Sequence, residues 1–469
     1  MFKKYFFTLI LISNLFSAGG VHLNADQFSL IWLVPFLGIL LSIAFLPLIS
    51  SSFWHHNYGK VSLFWGLLFL MSFSINFPGS TIFYILEVYL KEFIPFIVLL
   101  LALFTVSGGI LISGNLNGSP FLNLCILIIG TVLASIMGTT GASMLLIRPL
   151  IRANSWRKNK THLIVFFIFL VSNIGGSLSP IGDPPLFLGF LKGVYFTWPL
   201  FNMYQPMILV STILLTLFYF IDNYFYKKES ENVPEKEDFS LKIDGKINFL
   251  FIGIIIFAVI LSGQTFLQKS VKFLEYMNIE MMSVGILMQL IVLLTVTYIS
   301  LKITPKSVRK KNGFTWEPIK EVAKLFATIF LTMVPAIEML KGVKNSTGPM
   351  SWMKDVLIKD ENNIDYMYYW LTGILSSFLD NAPTYVVFFT TAGGEDVTEL
   401  IGDGNTLLAI SCGAVFMGAM TYIGNAPNFM VKSIAEENKI NMPSFFGFMT
   451  WSIVILIPIF IVVSFCFFN

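Results

Sequence analysis

Residues 181–187 read Ile-Gly-Asp-Pro-Pro-Leu-Phe, and residues 423–429 read Ile-Gly-Asn-Ala-Pro-Asn-Phe. The two stretches agree at four of seven positions, and a fifth position holds Asp183 in one and Asn425 in the other. Each stretch interrupts a long apolar block with glycine and proline, and proline breaks the hydrogen-bond ladder of a helix. The repeat therefore predicts two related halves, each with a broken helix at the same place.

The composition places these broken helices in a membrane. Hydrophobic residues make up 55% of the 469 residues and charged residues only 12%, whereas a soluble domain carries about 25% charged residues. The apolar residues form blocks of about 17–25, the length that crosses roughly 30 Å of hydrocarbon as a helix. We predict an all-α polytopic membrane protein.

Sequence motifs of other protein classes are missing. The chain has no Gly-rich nucleotide-binding loop and no Ser/His/Asp pattern, and its three cysteines and four histidines lack metal-site spacing. We therefore expect no enzyme activity, no bound cofactor and no nucleic-acid partner. The partners expected are the lipid bilayer and transported ions.

The apolar blocks divide the chain into two repeats. The first repeat covers 21–222, a charged cytoplasmic linker covers 223–247, and the second repeat covers 248–469, with six blocks in each repeat. Residues 1–20 hold two lysines before an apolar run of about 12 residues, which is typical of a signal peptide or signal anchor. A retained short helix is the alternative for this segment.

A second pair of interruptions predicts two re-entrant hairpins. The block 121–150 contains Gly-Thr-Thr-Gly-Ala-Ser at 138–143, and the block 366–391 contains Asp-Asn-Ala-Pro-Thr at 380–384. A shift of about 242 residues superposes both the hairpin tips and the helix breaks. Paired interruptions of this kind mark the binding site of secondary transporters.

The number of crossings predicts that the two repeats are inverted. If each hairpin enters and leaves on one face, each repeat crosses the membrane five times, and an odd number reverses the second repeat. Placing the linker in the cytoplasm puts about 22 of the 30 Lys and Arg residues on that side. We predict a multi-pass protein of the bacterial inner membrane.

Two aspartates at the interruptions are the strongest candidates for chemistry. Asp183 lies at the first helix break and Asp380 at the second hairpin tip. Inserting a charged side chain at the bilayer centre costs about 2.5–3.5 kcal/mol of free energy, so such a residue is expected to have a function. Burial disfavours the charged form of a carboxylate, so the same oxygens could alternate between a proton and a sodium ion. The alternative is that both residues only cap half-helices.

Neutral oxygen donors surround the same four interruptions. Each is individually suited to capping or helix packing. As a set they are candidates for lining a cation site: Asn173, Asn381, Asn425, Asn428, Thr139, Thr140, Thr384, Ser143, Ser177 and Ser179.

Arg148 follows the first hairpin tip by a few residues and is a candidate contact for an anion. The next residues are Pro149 and, after two more, Arg152. This favours the alternative that Arg148 extends to the cytoplasmic interface, as long basic side chains do near the ends of membrane helices.

These segments resemble the ion transporter superfamily, and in particular the NhaD-type sodium/proton antiporters and the citrate-transporter-like proteins near them. The resemblance covers roughly residues 28–468 and rests on residues 378–384, 176–183 and 424–428. It implies a scaffold and a transport domain built from inverted repeats, homodimerisation through the scaffold, and elevator-like alternating access.

The hairpin tips depart from the carboxylate transporters of that superfamily. Those proteins carry Ser-Asn-Thr motifs, whereas the first tip here reads Gly-Thr-Thr-Gly-Ala-Ser and the second begins with Asp380. The aspartates favour sodium (or lithium)/proton antiport, with Asp183 and Asp380 as the carriers. Sodium-coupled uptake of citrate or a dicarboxylate is the alternative, and a membrane sensor without flux is a more distant one.

Overall fold

The computed structural model describes residues 23–114, 117–229, 242–274, 279–343, 345–357, 364–393 and 398–468. The described part of the first half holds nine α-helices, with Tyr89–Phe93 as a π-helical turn between α3 and α4. They are α1 (Val34–Ile49), α2 (Ser51–Asn76), α3 (Pro78–Val88), α4 (Ile94–Ser107), α5 (Pro120–Met137), α6 (Thr139–Ala153), α7 (Thr161–Leu170), α8 (Pro184–Leu191) and α9 (Trp198–Lys228).

The described part of the second half holds twelve α-helices. They are α10 (Ile247–Ser262), α11 (Val284–Ile303), α12 (Lys306–Lys311), α13 (Glu317–Thr332), α14 (Val334–Lys341), α15 (Met353–Leu357), α16 (Ile364–Phe378), α17 (Asn381–Gly393), α18 (Thr398–Asp403), α19 (Asn405–Met417), α20 (Ala426–Glu437) and α21 (Phe445–Phe467). Short 3-10 turns accompany them at Ala25–Gln27, Leu30–Leu33, Ile174–Leu178, Thr265–Leu267 and Gly418–Met420.

In the described part of the chain, four short strands form two antiparallel ribbons outside the helical blocks. Strand β1 (Leu111–Ser113) pairs with β2 (Lys242–Asp244), and β3 (Ser270–Leu274) pairs with β4 (Ile279–Ser283). The β1–β2 ribbon attaches the end of the predicted linker to the chain segment just before α5. The prediction of an all-α polytopic protein is confirmed, with these ribbons as a small addition.

Eight helices within the described ranges are long and apolar enough to cross a membrane, or nine if α13 and α14, bent by 44°, count as one span. The sequence predicts an apolar block at 61–77, and helix α2 begins about ten residues earlier, at Ser51. Ser50 explains this early start, because its Oγ accepts a hydrogen bond from the amide of Phe53 and caps the helix. The chain is a multi-pass membrane protein.

Both predicted hairpins double back at their tips. At the base of the first, Asn123 of α5 and Asn154, the C-cap of α6, exchange amide hydrogen bonds of 3.0 and 2.7 Å. In the second, the rings of Tyr368 in α16 and Phe388 in α17 lie 6.3 Å apart. Although α5 alone has the length of a span, it is therefore the incoming arm of a hairpin.

The helices pack in two groups. The site helices are α5–α9 and α16–α21, which contain both hairpins and both breaks, and the outer helices are α1–α4 and α10–α14. Aromatic rings such as Phe96 of α4 and Phe326 of α13, 4.9 Å apart and stacked, join the outer helices to each other. Residues 1–20 and the middle of the linker, 230–241, lie outside the described residues, and the inversion of the repeats stays a prediction.

Candidate functional site

The carboxylate of Asp183 is the meeting point of all four chain interruptions. Its Oδ1 accepts hydrogen bonds from Thr139 Oγ1 at 3.0 Å and from Asn425 Nδ2 at 2.9 Å. Its Oδ2 accepts a hydrogen bond from Asn381 Nδ2 at 2.6 Å. The three donors belong to the first hairpin tip, the second helix break and the second hairpin tip.

These four residues are two pairs of equivalent positions. Adding 242 to 139 gives 381, and adding 242 to 183 gives 425, so each half supplies one tip residue and one break residue. The two halves of the predicted repeat therefore contact each other through residues at equivalent positions. The offset read from the sequence relates each converging residue of one half to its equivalent in the other half.

Backbone hydrogen bonds hold each tip against the break of its own half. The amide of Thr139 donates to the carbonyl of Gly182 at 2.9 Å, and the amide of Asn381 donates to the carbonyl of Gly424 at 3.2 Å. A Cβ atom at Gly182 would overlap the carbonyl oxygen of Gly176, which explains why glycine stands there. The breaks are therefore closely packed structures with defined hydrogen bonds.

Hydroxyl groups add a second matched pair of contacts. Ser179 Oγ donates to the carbonyl of Ser135, and Thr421 Oγ1 donates to the carbonyl of Ser377 at 2.5 Å. Both donors lie 242 residues apart, as do both acceptors. Sequence reasoning missed Ser135, Ser377 and Thr421, although applying the same offset to the predicted Ser179 would have found Thr421.

Asp183 is buried without a counter-charge. It is 1% exposed, and no Lys, Arg or His lies within ion-pair distance of it in the described part of the chain. Burying an isolated carboxylate is costly unless a proton or cation neutralises it. Beside it, Asn381 Oδ1 is a buried oxygen without a hydrogen-bond partner among the described residues. A carboxylate and a free amide oxygen are ligands that suit a small cation.

A series of hydrogen bonds between asparagine side chains holds Asn425 in place. Asn425 Nδ2 also donates to Asn173 Oδ1 at 3.2 Å, and Asn173 Nδ2 donates to Asn428 Oδ1 at 2.7 Å. Asn428 in turn donates to the carbonyls of Gly418 and Thr421, each at 2.9 Å. Asn173 and Asn428 therefore orient Asn425 and lie one step away from the carboxylate.

Asp380 occupies a different position from Asp183. Its carboxylate accepts a hydrogen bond from the amide of Ala382 at 3.1 Å, and its carbonyl accepts one from Thr384 Oγ1 at 3.0 Å. It is partly exposed, and no hydrogen bond joins it to Asp183 in the described part of the chain. Asp380 thus caps the second hairpin arm at the edge of the site, next to Asn381.

The hydroxyl groups of the remaining predicted residues interact with neighbouring groups or line a cavity. Ser177 Oγ donates to the carbonyl of Ile174 at 2.8 Å, and Ser143 Oγ pairs with Ser172 Oγ at 2.9 Å. Thr140 lines the cavity described next. Neither serine forms a hydrogen bond with Asp183, so both support the site indirectly.

A cavity of about 70 Å³ reaches the first hairpin tip and the breaks. This volume exceeds the roughly 10–15 Å³ that a cavity needs to hold a water molecule. It lies between the outer and the site helices, and its lining carries no Lys or Arg. Its lining includes Leu103, Phe104, Thr139, Thr140, Gly182 and Pro427.

Arg148 lies away from this cavity. It is nine residues beyond Thr139 on α6, which is roughly 13 Å along a helix. Its guanidinium packs against Gly313, just after α12. The structure therefore does not bring Arg148 to the carboxylate of Asp183.

Sequence reasoning also missed a buried ion cluster at the base of the first hairpin. Arg157 Nη1 lies 2.6 Å from Asp222 Oδ1, and His162 Nε2 lies 2.8 Å from the same oxygen. Asn123 donates to Asp222 Oδ2 at 2.9 Å, and Asn154 accepts from Arg157 at 3.3 Å. The cluster connects the base of the first hairpin to α9. Its members lie far apart in the sequence, so they form no local motif that could have been recognised.

Comparison with known proteins identifies the family of the chain. No curated protein matches the chain. A family model described as putative citrate transport matches residues 24–468, nearly the whole chain. With the membrane-spanning helices, this match supports a secondary transporter. The chain therefore belongs to the putative citrate transport family.

Proposed function

We propose that the protein exchanges sodium (or lithium) ions for protons, with Asp183 as the central carrier. The observation that carries the proposal is the buried carboxylate of Asp183, surrounded by neutral donors and without a cationic partner among the described residues. Such a group needs a neutralising ion, and a proton and a sodium ion are alternatives at the same oxygens. Binding of one displaces the other.

The sodium ligands proposed are Asp183 Oδ2 and Asn381 Oδ1. Sodium would replace the hydrogen bond between these two side chains, and rotation of the Asn381 amide would turn its unpartnered oxygen toward the ion. The carbonyls of the helix breaks are further oxygen ligands of the kind that transporters use. Asp380 is the second proton and sodium carrier, at the partly exposed edge of the site.

Sodium-coupled transport of citrate or a dicarboxylate is the second candidate, and the family description favours it. Anion binding requires counter-charge, which the half-helix N-termini at the breaks supply in part. The cavity at the hairpin tip carries no Lys or Arg, and about 70 Å³ is small for a tricarboxylate. These two features support cation exchange over anion uptake.

The remaining parts of the proposal concern assembly and movement. The site helices would carry the ion across the membrane against the outer helices in an elevator-like cycle, with the hairpin tips as gates. The outer helices would form a homodimer in the bacterial inner membrane. Exposed apolar side chains on α2, such as Phe64 and Ile75, fit contact with lipid or a second copy.

Flux in everted membrane vesicles tests the exchange directly. With an acid-inside gradient established, sodium or lithium alone should dissipate the gradient without citrate or another carboxylate. The co-transport candidate instead requires the carboxylate before sodium moves. Sodium-dependent accumulation of radiolabelled citrate, with sodium alone leaving the gradient intact, would replace the antiport proposal by the co-transport one.

A further inference from the structure

An ion pair joins the site helices to the outer helices at the far end of the helix that begins at Asp183. Lys192 Nζ lies 3.0 Å from Glu92 Oε1. Glu92 belongs to the π-helical turn Tyr89–Phe93, within the continuous outer helix formed by α3 and α4. π-helical turns are rare and frequently mark functional positions.

The backbone at Lys192 is rigidly coupled to the site. Helix α8 is eight residues long, roughly 12 Å, with Asp183 as its N-cap and Lys192 as its C-cap. Gly193 follows with φ +102°, and its amide donates to the carbonyl of Phe190 while that of Val194 donates to Gly189. These two bonds form a Schellman motif, which fixes the end of the helix. Movement of Lys192 therefore reports movement of Asp183.

The ion pair lies in a solvent-accessible gap between the two groups of helices. A cavity of about 290 Å³ surrounds it, and the side chains of Lys192 and Glu92 are 20% and 24% exposed. A partly exposed ion pair contributes little net stability, so it can form and break during a transport cycle. By the predicted topology, this cavity lies on the extracytoplasmic side.

The other charged side chains of the cavity have partners on their own helices. Lys91 pairs with Glu87 at 2.9 Å, and Lys341 pairs with Glu338 at 2.8 Å. Both pairs lie wholly within the outer helices. Of the ion pairs around this cavity, the Lys192–Glu92 pair is the one that crosses between the groups.

We propose that the Lys192–Glu92 ion pair is a latch that holds α8, and with it Asp183, in the conformation described here. The latch must open before the site can face the other side of the membrane. This proposal rests on alternating access in the proposed function, but not on which ion is carried.

Maleimide labelling tests the latch without measuring transport. Ile337→Cys, placed in the cavity on a background lacking Cys125, Cys412 and Cys466, reports how often the cavity is open. Glu92→Gln or Lys192→Gln should change its labelling rate by about two- to fivefold. The charge exchange Glu92→Lys with Lys192→Glu should restore the rate, and Glu87→Gln is the matched control. Equal rates in all variants would overturn the proposal.

Cross-linking gives the functional readout. A short bismaleimide joining Glu92→Cys to Lys192→Cys should stop flux of whichever ion the protein carries, and joining Glu87→Cys to Lys91→Cys should not. Normal flux in the cross-linked protein would rule out the latch. If the protein carries citrate instead of exchanging protons, the proposed function is wrong. The latch proposal would still hold in that case, provided that the labelling rates change as expected and the cross-link stops citrate flux.

Discussion

Asn425 Nδ2 donates a hydrogen bond of 2.9 Å to Asp183 Oδ1, and these two residues hold the same position in the two halves of the chain. Thr139 and Asn381, which also donate to the carboxylate of Asp183, form the second equivalent pair. The site is thus shared equally by both halves. Its chemistry is not symmetric, because one half supplies the carboxylate and the other an amide.

Replacing Asp183 by Asn should leave the protein folded and reduce sodium-dependent proton flux to background. The amide keeps the size of the side chain but cannot cycle a proton. Asp380→Asn should also remove exchange if Asp380 is the second carrier, and Asp355→Asn, at an exposed position, is the control. Normal flux in both single mutants, measured in everted vesicles, would show that the two aspartates only cap helices.

Replacing Gly182 by Ala should abolish flux by separating the first hairpin tip from the break. The new Cβ atom would overlap the carbonyl of Gly176 and disturb the bond from the Thr139 amide to the Gly182 carbonyl. Gly253→Ala is the matched control, because no atom lies within 4 Å of its added Cβ. Flux of the two variants, normalised to the amount of inserted protein, should differ widely, and equal flux would contradict close packing at the break.

Replacing Arg157 by Met should destabilise the protein by about 3–5 kcal/mol, since it leaves the buried carboxylate of Asp222 without its cation. Lys320→Met removes an exposed partner of Glu317 and should cost at most about 1 kcal/mol. Thermal unfolding in detergent compares the two variants. A small, equal effect would show that Asn123 and His162 satisfy Asp222 without the arginine.

Single cysteines should establish the predicted topology. Lys242→Cys, at the end of the linker, should react only from the cytoplasmic face, and Gly402→Cys should react only from the opposite face. Both positions are exposed. Reaction of both from one face would contradict the inversion of the two repeats.

The sequence predicted the broken helices and hairpins because glycine and proline interrupt apolar blocks, and this signal is local. The offset of 242 residues also predicted that the interruptions meet. It could not predict that Asn381, rather than its neighbour Asp380, would contact Asp183, because a difference of one residue at a helix start decides which side chain points inward. The Arg157–Asp222 pair escaped prediction because its members lie 65 residues apart and no periodicity links them.

The hydrogen bond between Asp183 and Asn425 has a consequence for how such a site can arise from a duplicated half. Two unchanged copies would bring either two aspartates or two asparagines to this contact. Two carboxylates within hydrogen-bond distance cannot both stay ionised, so they would hold a shared proton that sodium would have to displace from a tightly bound dyad. Two amides would carry no charge to neutralise. One of each leaves a single carboxylate with a neutral donor opposite it, so that proton release does not have to overcome repulsion from a second carboxylate at that position.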